Sequence, residues 1–177
     1  MLEKVLTQID GVLKIKPKIF KDERGSFLET YNSKKYNKFF ENTNFVQDNL
    51  SFSSKNVLRG LHIQKKFPQG KLVRVVQGEV FDVVLDLRKN SNTYGKWESF
   101  IINNIKMEQI WIPPGLAHGF QVLSDTAIFE YKCDEYYMPE DEQTILWKDE
   151  DLKINWPLKN PIVSDKDNAG IPIKDYK

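Results

Sequence analysis

Hydrophobic and polar residues alternate singly over several short stretches of this chain, and a helical period occurs only once. Over residues 12–20, Leu13, Ile15, Pro17 and Ile19 fall on one face and Lys14, Lys16 and Lys18 on the other. A period of two with lysines outward predicts a strand near a sheet edge. Pro17 strengthens that placement because it cannot donate to a ladder. Asp22-Glu23-Arg24-Gly25 predicts a turn, and a strand resumes over residues 26–31. The helical period comes next. Tyr36, Phe39 and Phe40 stand at i, i+3 and i+4 behind Asn32 or Ser33 as a cap, predicting one short helix that ends near Asn42.

From Asn44 onward strand signals crowd together with turn residues between them. Residues 71–76, Gln77-Gly78 and residues 79–87 read as a hairpin, with Phe81, Val83, Leu85 and Leu87 on its buried face. Residues 100–102, 109–112, 119–123 and 127–132 continue the pattern. Many short strands with little helix predict an all-β fold, a closed barrel or jelly roll. Beyond Pro139 the chain turns polar and loop-like, carrying Trp147 and Trp156. No repeat, low-complexity segment or linker interrupts it, so residues 1–177 are expected to form a single domain.

Composition removes whole classes of function. Lys and Arg number 26 against 25 Asp and Glu, a net charge of +1, which leaves no electrostatic footprint for nucleic acid or an acidic membrane. Hydrophobic residues make up 40% of the 177, enough for a sizeable core. One cysteine, Cys133, excludes an intrachain disulfide and a multi-thiolate zinc site. No apolar run approaches the roughly 20 residues that span a bilayer, and residues 1–6 lack the apolar region of a signal peptide. A soluble, cytoplasmic protein is expected.

The candidate chemistry is sparse. The two histidines, His62 and His118, each lie beside or near glycine in turn-rich strings, Arg59-Gly60-Leu61-His62 and Ala117-His118-Gly119-Phe120. Either fits a satisfied structural histidine. Arg59, Gln64, Lys65, Lys66 and Lys71 near His62 would suit an anionic ligand such as a phosphate, although Lys65 and Lys66 equally fit a solvated loop. A barrel metal site normally takes His-x-His, a carboxylate and a third histidine. Here the string is His62-Ile63-Gln64 with only His118 to add, so no metal is expected. In residues 45–52, Gln47, Asn49 and Ser51 alternate with Val46, Asp48, Leu50 and Phe52. That polar stripe either faces water or lines a cavity for a polar ligand, and pattern alone favours water. Tyr131, Tyr136 and Tyr137 supply phenols near one strand end, and Ser164-Asp165-Lys166-Asp167 can form a turn or set a carboxylate against a histidine.

These strings, taken in order, resemble a known family. They run Phe20-Lys21-Asp22-Glu23-Arg24-Gly25-Ser26-Phe27-Leu28-Glu29, Phe45-Val46-Gln47-Asp48-Asn49, Val57-Leu58-Arg59-Gly60-Leu61-His62 and Gly70-Lys71-Leu72-Val73-Arg74. Gly78-Glu79-Val80-Phe81-Asp82-Val83, Asp86-Leu87-Arg88, Ile112-Pro113, Ala117-His118-Gly119-Phe120, Tyr131-Lys132, Ile154-Asn155-Trp156-Pro157 and Ser164-Asp165-Lys166-Asp167 follow. The set, spanning roughly residues 11–170, is similar to the dTDP-4-dehydrorhamnose 3,5-epimerases. The resemblance implies a cupin-type jelly-roll barrel acting without a cofactor on a dTDP-linked 4-keto-6-deoxy sugar. It also implies a homodimer formed by exchange of N-terminal strands. By similarity His62 is the base, Asp167 its carboxylate partner, Lys71 the stabiliser of the enolate oxygen and Tyr131 the proton donor on the opposite face. Arg24, Glu29, Gln47, Asn49, Arg59, His118, Glu142 and Lys166 are implied in substrate binding, with Arg24 and Glu29 reaching the neighbouring subunit's site. Relatives that invert one carbon only, or use other nucleotide-linked 4-keto sugars including heptoses, share much of this motif set. A non-catalytic sugar-nucleotide-binding barrel and a metal-dependent cupin oxygenase are weaker alternatives.

Overall fold

The structure, a computed structural model, describes residues 2–40 and 43–177. Its strands begin with β1 (Glu3–Leu6), β2 (Leu13–Lys16), β3 (Ile19–Asp22), β4 (Gly25–Leu28), β5 (Gln47–Ser54), β6 (Val57–Gln64) and β7 (Lys71–Gln77). They continue with β8 (Glu79–Asp86), β9 (Trp97–Asn103), β10 (Gln109–Ile112), β11 (Leu116–Val122), β12 (Thr126–Cys133), β13 (Glu142–Thr144) and β14 (Ile162–Val163). Two one-turn helices, α1 (Ser33–Tyr36) and α2 (Asp165–Asn168), and a 3-10 turn (Ile173–Asp175) complete the set.

One sheet has the order β1-β2-β10-β7-β12-β5 and the other β13-β6-β11-β8-β9, with β14 beside β6. Their inner faces meet in a jelly-roll core of the cupin type. Val73 and Val75 of β7, Ile110 and Ile112 of β10, and Ala127 and Phe129 of β12 pack on Val80 and Val84 of β8 and Phe120 and Val122 of β11. The Phe120 and Phe129 rings stack across this core at 4.3 Å. Each valine, isoleucine and phenylalanine among them contributes about 1.5–3 kcal/mol on burial, which makes this apolar end of the barrel its anchor.

Both sheets are also covered from outside, in different ways. The C-terminal segment wraps the β6–β11–β8 face. Trp156 packs on Phe81 at 5.6 Å, the Trp97 indole donates to the Leu152 carbonyl at 2.8 Å, and Ile145 and Leu152 close a second buried cluster. On the other sheet Tyr36 and Phe40 lie over Leu13, Ile15, Leu72 and Trp111, with Phe40 stacked on Trp111 at 4.4 Å. That cover stops short of β5, where Leu50 and Phe52 stand 53% and 69% exposed.

Several expectations need correction. The strand expected over residues 12–20 is two, β2 and β3, in different sheets. Pro17 falls in the break, where its missing N–H costs no ladder bond. β2 is next to the edge strand β1, in keeping with a place near an edge. The resumed strand is only β4, paired with β3 in an isolated hairpin. β7 and β8 are not a hairpin: they belong to opposite sheets, and Gly78, at φ +84, turns the chain from one to the other. Phe81, Val83, Leu85 and Leu87 do share a buried face, but it is the outer one, beneath the C-terminal segment. Val80 and Val84 bury the inner one, so β8 is apolar on both sides. The helix is a single turn. Asn32 stands at its N-cap, but its amide donates to Glu29 Oε1 at 2.7 Å instead of capping. The expected end near Asn42 lies outside the described residues.

Candidate active site

One end of the barrel is polar where the other is apolar. Short loops join Gln64 to Lys71 and carry the chain from Cys133 back to Glu142, so the C-terminal end of β6, the start of β7, the end of β12 and β13 gather there. Interior positions at this end are filled by Gln47 and Asn49 of β5, His62 of β6, Lys71 of β7, His118 of β11 and Tyr131 of β12. The polar stripe of β5 therefore turns inward and its apolar residues outward, the reverse of the arrangement that pattern alone favours. Gln47 donates to Asn49 Oδ1 at 2.9 Å, and the Asn49 amide reaches Cys133 Sγ at 3.7 Å.

A bulge sets Arg59 and His62 on the same side of β6. Opposite them, His118 pairs with His62 and Phe120 with Arg59, so three steps on β6 face two on β11. Strict alternation would put Arg59 and His62 on opposite faces, and the extra residue restores a common one. The bulge needs glycine. Gly60 sits at φ +119, where an added Cβ would lie 2.5 Å from Gly119 Cα, and a Cβ on Gly119 would lie 2.7 Å from the Arg59 carbonyl oxygen.

His62 is held by residues from far along the chain. Its Nε2 lies 2.5 Å from Asp167 Oδ1, while Asp167 Oδ2 accepts from the Gly60 N–H at 3.2 Å. Asp167 is buried in α2, whose N-cap Ser164 accepts from the Asp167 N–H. Burial pushes the Asp167 carboxyl up, but the His62 hydrogen bond and charge and the Gly60 N–H outweigh it and leave it below the usual carboxylate range. In the neutral ring, with Nε2–H committed to Asp167, Nδ1 carries the lone pair. Glu142 Oε1 stands 3.7 Å from that nitrogen. The other Glu142 oxygen accepts from the Lys166 ammonium and, at 2.9 Å, from the Tyr137 hydroxyl.

Facing this pair from the other sheet are Lys71 and Tyr131. Desolvation pulls the Lys71 ammonium below the ordinary lysine range, and Cys133 and Asp82 oppose that shift. Desolvation pushes the Tyr131 phenol up to about 12, so it stays protonated throughout the neutral range. Tyr136 and Tyr137 are 58% and 45% exposed and belong to the rim.

The other expected residues divide. Arg59 donates to Ser53 Oγ at 3.2 Å on the inner wall. His118 is buried, its Nε2 2.7 Å from Asp82 Oδ2, so one ring nitrogen is already taken. Arg24 and Glu29 are not brought to the site by their own chain: Arg24 pairs with Asp22 at the tip of the β3–β4 hairpin, and Glu29 with Lys35. Asp82 was not anticipated. It is fully buried between Val80 and Val84, and its Oδ1 has no hydrogen-bond partner among the described residues. An acid alternating with valines was its visible signal. Lys65 and Lys66 are solvated. Among the described residues no group of three or more His, Cys, Asp or Glu is placed to share a metal ion.

Fold and site together define a cupin-type barrel whose polar end gathers His62, Asp167, Lys71 and Tyr131. The chain belongs to the dTDP-4-dehydrorhamnose 3,5-epimerase family, whose model matches residues 6–175. It is 50% identical over 168 residues to the dTDP-4-dehydrorhamnose 3,5-epimerase of Shigella flexneri, covering 94% of this chain and 93% of that one. It is 47% identical over 174 residues to that of Methanothermobacter thermautotrophicus, covering 97% and 94%. The crystal structure of the Legionella pneumophila dTDP-6-deoxy-D-glucose-3,5-epimerase in complex with dTDP-4-keto-L-rhamnose superposes with a TM-score of 0.97 at 46% identity. That match covers 100% of this chain and 95% of that one.

Proposed function

We propose that this chain is a dTDP-4-dehydrorhamnose 3,5-epimerase, inverting C3 and C5 of dTDP-4-dehydro-6-deoxy-D-glucose to give dTDP-4-dehydro-L-rhamnose. Both carbons are α to the C4 ketone, so each proton can leave as an enolate forms, and no cofactor is needed. The observation that carries the reading is the His62–Asp167 pair at 2.5 Å, which commits Nε2 to the carboxylate and leaves Nδ1 as the ring nitrogen to act as base.

His62 Nδ1 takes the proton from carbon. Lys71 balances the charge that builds on the C4 oxygen, a role suited to a cation in a desolvated wall. Tyr131 returns a proton from the opposite face, and its burial, against the exposed Tyr136 and Tyr137, favours it over either neighbour. Gln47, Asn49, Arg59, His118, Glu142 and Lys166 surround the sugar nucleotide, with Arg59 and Lys166 the natural partners of its diphosphate.

The site is completed in a homodimer, with Arg24 and Glu29 carried across by the N-terminal strands. In support, Phe20 and Phe27 of the β3–β4 hairpin are exposed, as are Leu50 and Phe52 on the open face of β5, and monomers rarely leave such apolar groups uncovered. The Arg24 side chain, 85% exposed, is free to enter a second barrel. A cytoplasmic setting agrees with the single free cysteine, and no described helix is long and apolar enough to cross a membrane.

Incubation with dTDP-4-dehydro-6-deoxy-D-glucose and a 4-keto reductase tests the reading. Formation of dTDP-L-rhamnose is expected. No L-rhamnose product, with turnover of a GDP-, CDP- or UDP-linked keto sugar instead, would reassign the substrate.

A further inference from the structure

We propose that Glu142 is the exit for the proton that His62 collects, passing it to water at the barrel mouth and resetting the base for the next inversion. This rests on His62 being the base. Each inversion leaves an imidazolium at His62 and a phenolate at Tyr131, and neither can serve again until His62 loses its proton and Tyr131 regains one.

The geometry supplies a path. Asp167 occupies Nε2, so the collected proton sits on Nδ1, and the carboxylate facing Nδ1 is Glu142, with Oε1 at 3.7 Å. That gap is too small to hold a water and closes to hydrogen-bond distance with a shift of about 1 Å. The placement is built into the sheet, because β13 pairs with β6 in the register Thr144 to His62 and Glu142 to Gln64. Glu142 is itself only 9% exposed in its side chain, but its Oε2 is held by the Lys166 ammonium and the Tyr137 hydroxyl, both at the surface. Adjacent residues of α2 thus serve the two sides of the base: Asp167 fixes Nε2 and Lys166 secures the carboxylate that faces Nδ1.

The transfer balances. The Nδ1–H bond breaks with its electron pair staying on nitrogen, and the proton joins Glu142 Oε1. The resulting carboxylic acid releases it to water, and water supplies a proton to the Tyr131 phenolate. A carboxylic acid is a stronger acid than an imidazolium, so Glu142 passes the proton on and does not keep it.

A group that only binds substrate and one that resets the base differ kinetically. In lightly buffered D2O, rapid-quench reaction of the Glu142→Gln protein with dTDP-4-dehydro-6-deoxy-D-glucose should give a burst of one proton exchange per site. A phase at least about 10-fold slower should follow, accelerating with imidazole concentration. The Glu142→Ala protein should show the same burst and be rescued by formate, which returns a carboxylate to the gap. A raised KM with unchanged kcat, or a fall in kcat without burst or rescue in both variants, would overturn the proposal. Absence of any exchange in the wild-type protein would overturn the assignment of His62 as base, and the relay with it. Single-phase exchange in wild type and both variants would overturn the relay alone.

Discussion

Asp167 Oδ1 meets His62 Nε2 at 2.5 Å across 105 residues of sequence, and one N–H from the strand that carries His62 binds the other carboxylate oxygen. The imidazole is thereby fixed by a group that is itself held. Asp167→Asn keeps the shape and removes the charge that stabilises the imidazolium. It should lower kcat by about 10²- to 10⁴-fold while leaving the Kd for dTDP within about 3-fold. Steady-state kinetics beside calorimetric titration with dTDP separates the two effects.

Tyr131→Phe should uncouple exchange from inversion. With His62 and Lys71 intact the enolate still forms, but no donor waits on the opposite face, so reprotonation returns from the side the proton left. Solvent deuterium should enter the unepimerised sugar while product formation falls at least about 100-fold. Loss of exchange in parallel with loss of product would move Tyr131 out of the donor role.

Strand exchange predicts complementation between inactive subunits. In a mixed dimer of Arg24→Ala and His62→Asn chains, one site pairs an intact barrel with an intact arm and the other has neither. Random reassortment of equal amounts should restore about a quarter of wild-type activity. Activity that stays at the level of the separate variants after refolding together would count against an arm shared between subunits.

Acid should unfold the protein through specific carboxylates. Asp86 is fully buried, and hydrogen bonds from Arg88, Ser91 and Thr93 outweigh its desolvation and hold it well below the usual carboxylate range; Asp167 is lowered too. A carboxyl lowered on folding contributes stability above its unfolded pKa near 4, and that stability is lost as pH falls through the lower folded value. Melting temperature should therefore drop steeply below about pH 4, and Asp86→Asn, less stable at neutral pH, should show a shallower acid limb. An unchanged limb in that variant would refute the attribution.

Gly60→Ala tests the bulge. The new Cβ would meet Gly119 Cα at 2.5 Å from a backbone at φ +119, with backbone on both sides and nothing flexible to yield. A loss of about 3 kcal/mol or more in urea unfolding is expected.

The strands and the all-β class were legible because alternation reports a face, and a face is what burial selects. What alternation cannot report is which side the face meets. The stripe of Gln47, Asn49 and Ser51 lines the barrel because the polar end needs hydrogen-bonding walls, while Leu50 and Phe52 take the outside. The Gly78 turn was readable as a turn but not as a corner between sheets, since a hairpin and a crossover begin with the same residues. His62 and Arg59 look misaligned by period two until the bulge is known. The approach of Asp167 to His62 and of Glu142 to its other nitrogen depends on how the C-terminal segment returns to β6, a long-range pairing without local signature. His118, implied in substrate binding by the resemblance, also shares a buried hydrogen bond with Asp82 that its string does not announce.

The most direct measurement is proton NMR of dTDP-4-dehydro-6-deoxy-D-glucose incubated with the protein in D2O, following the C3 and C5 protons. Loss of both signals, with the product reducible to dTDP-L-rhamnose, is the expected result. Exchange at only one carbon, or at neither, would contradict a 3,5-epimerase.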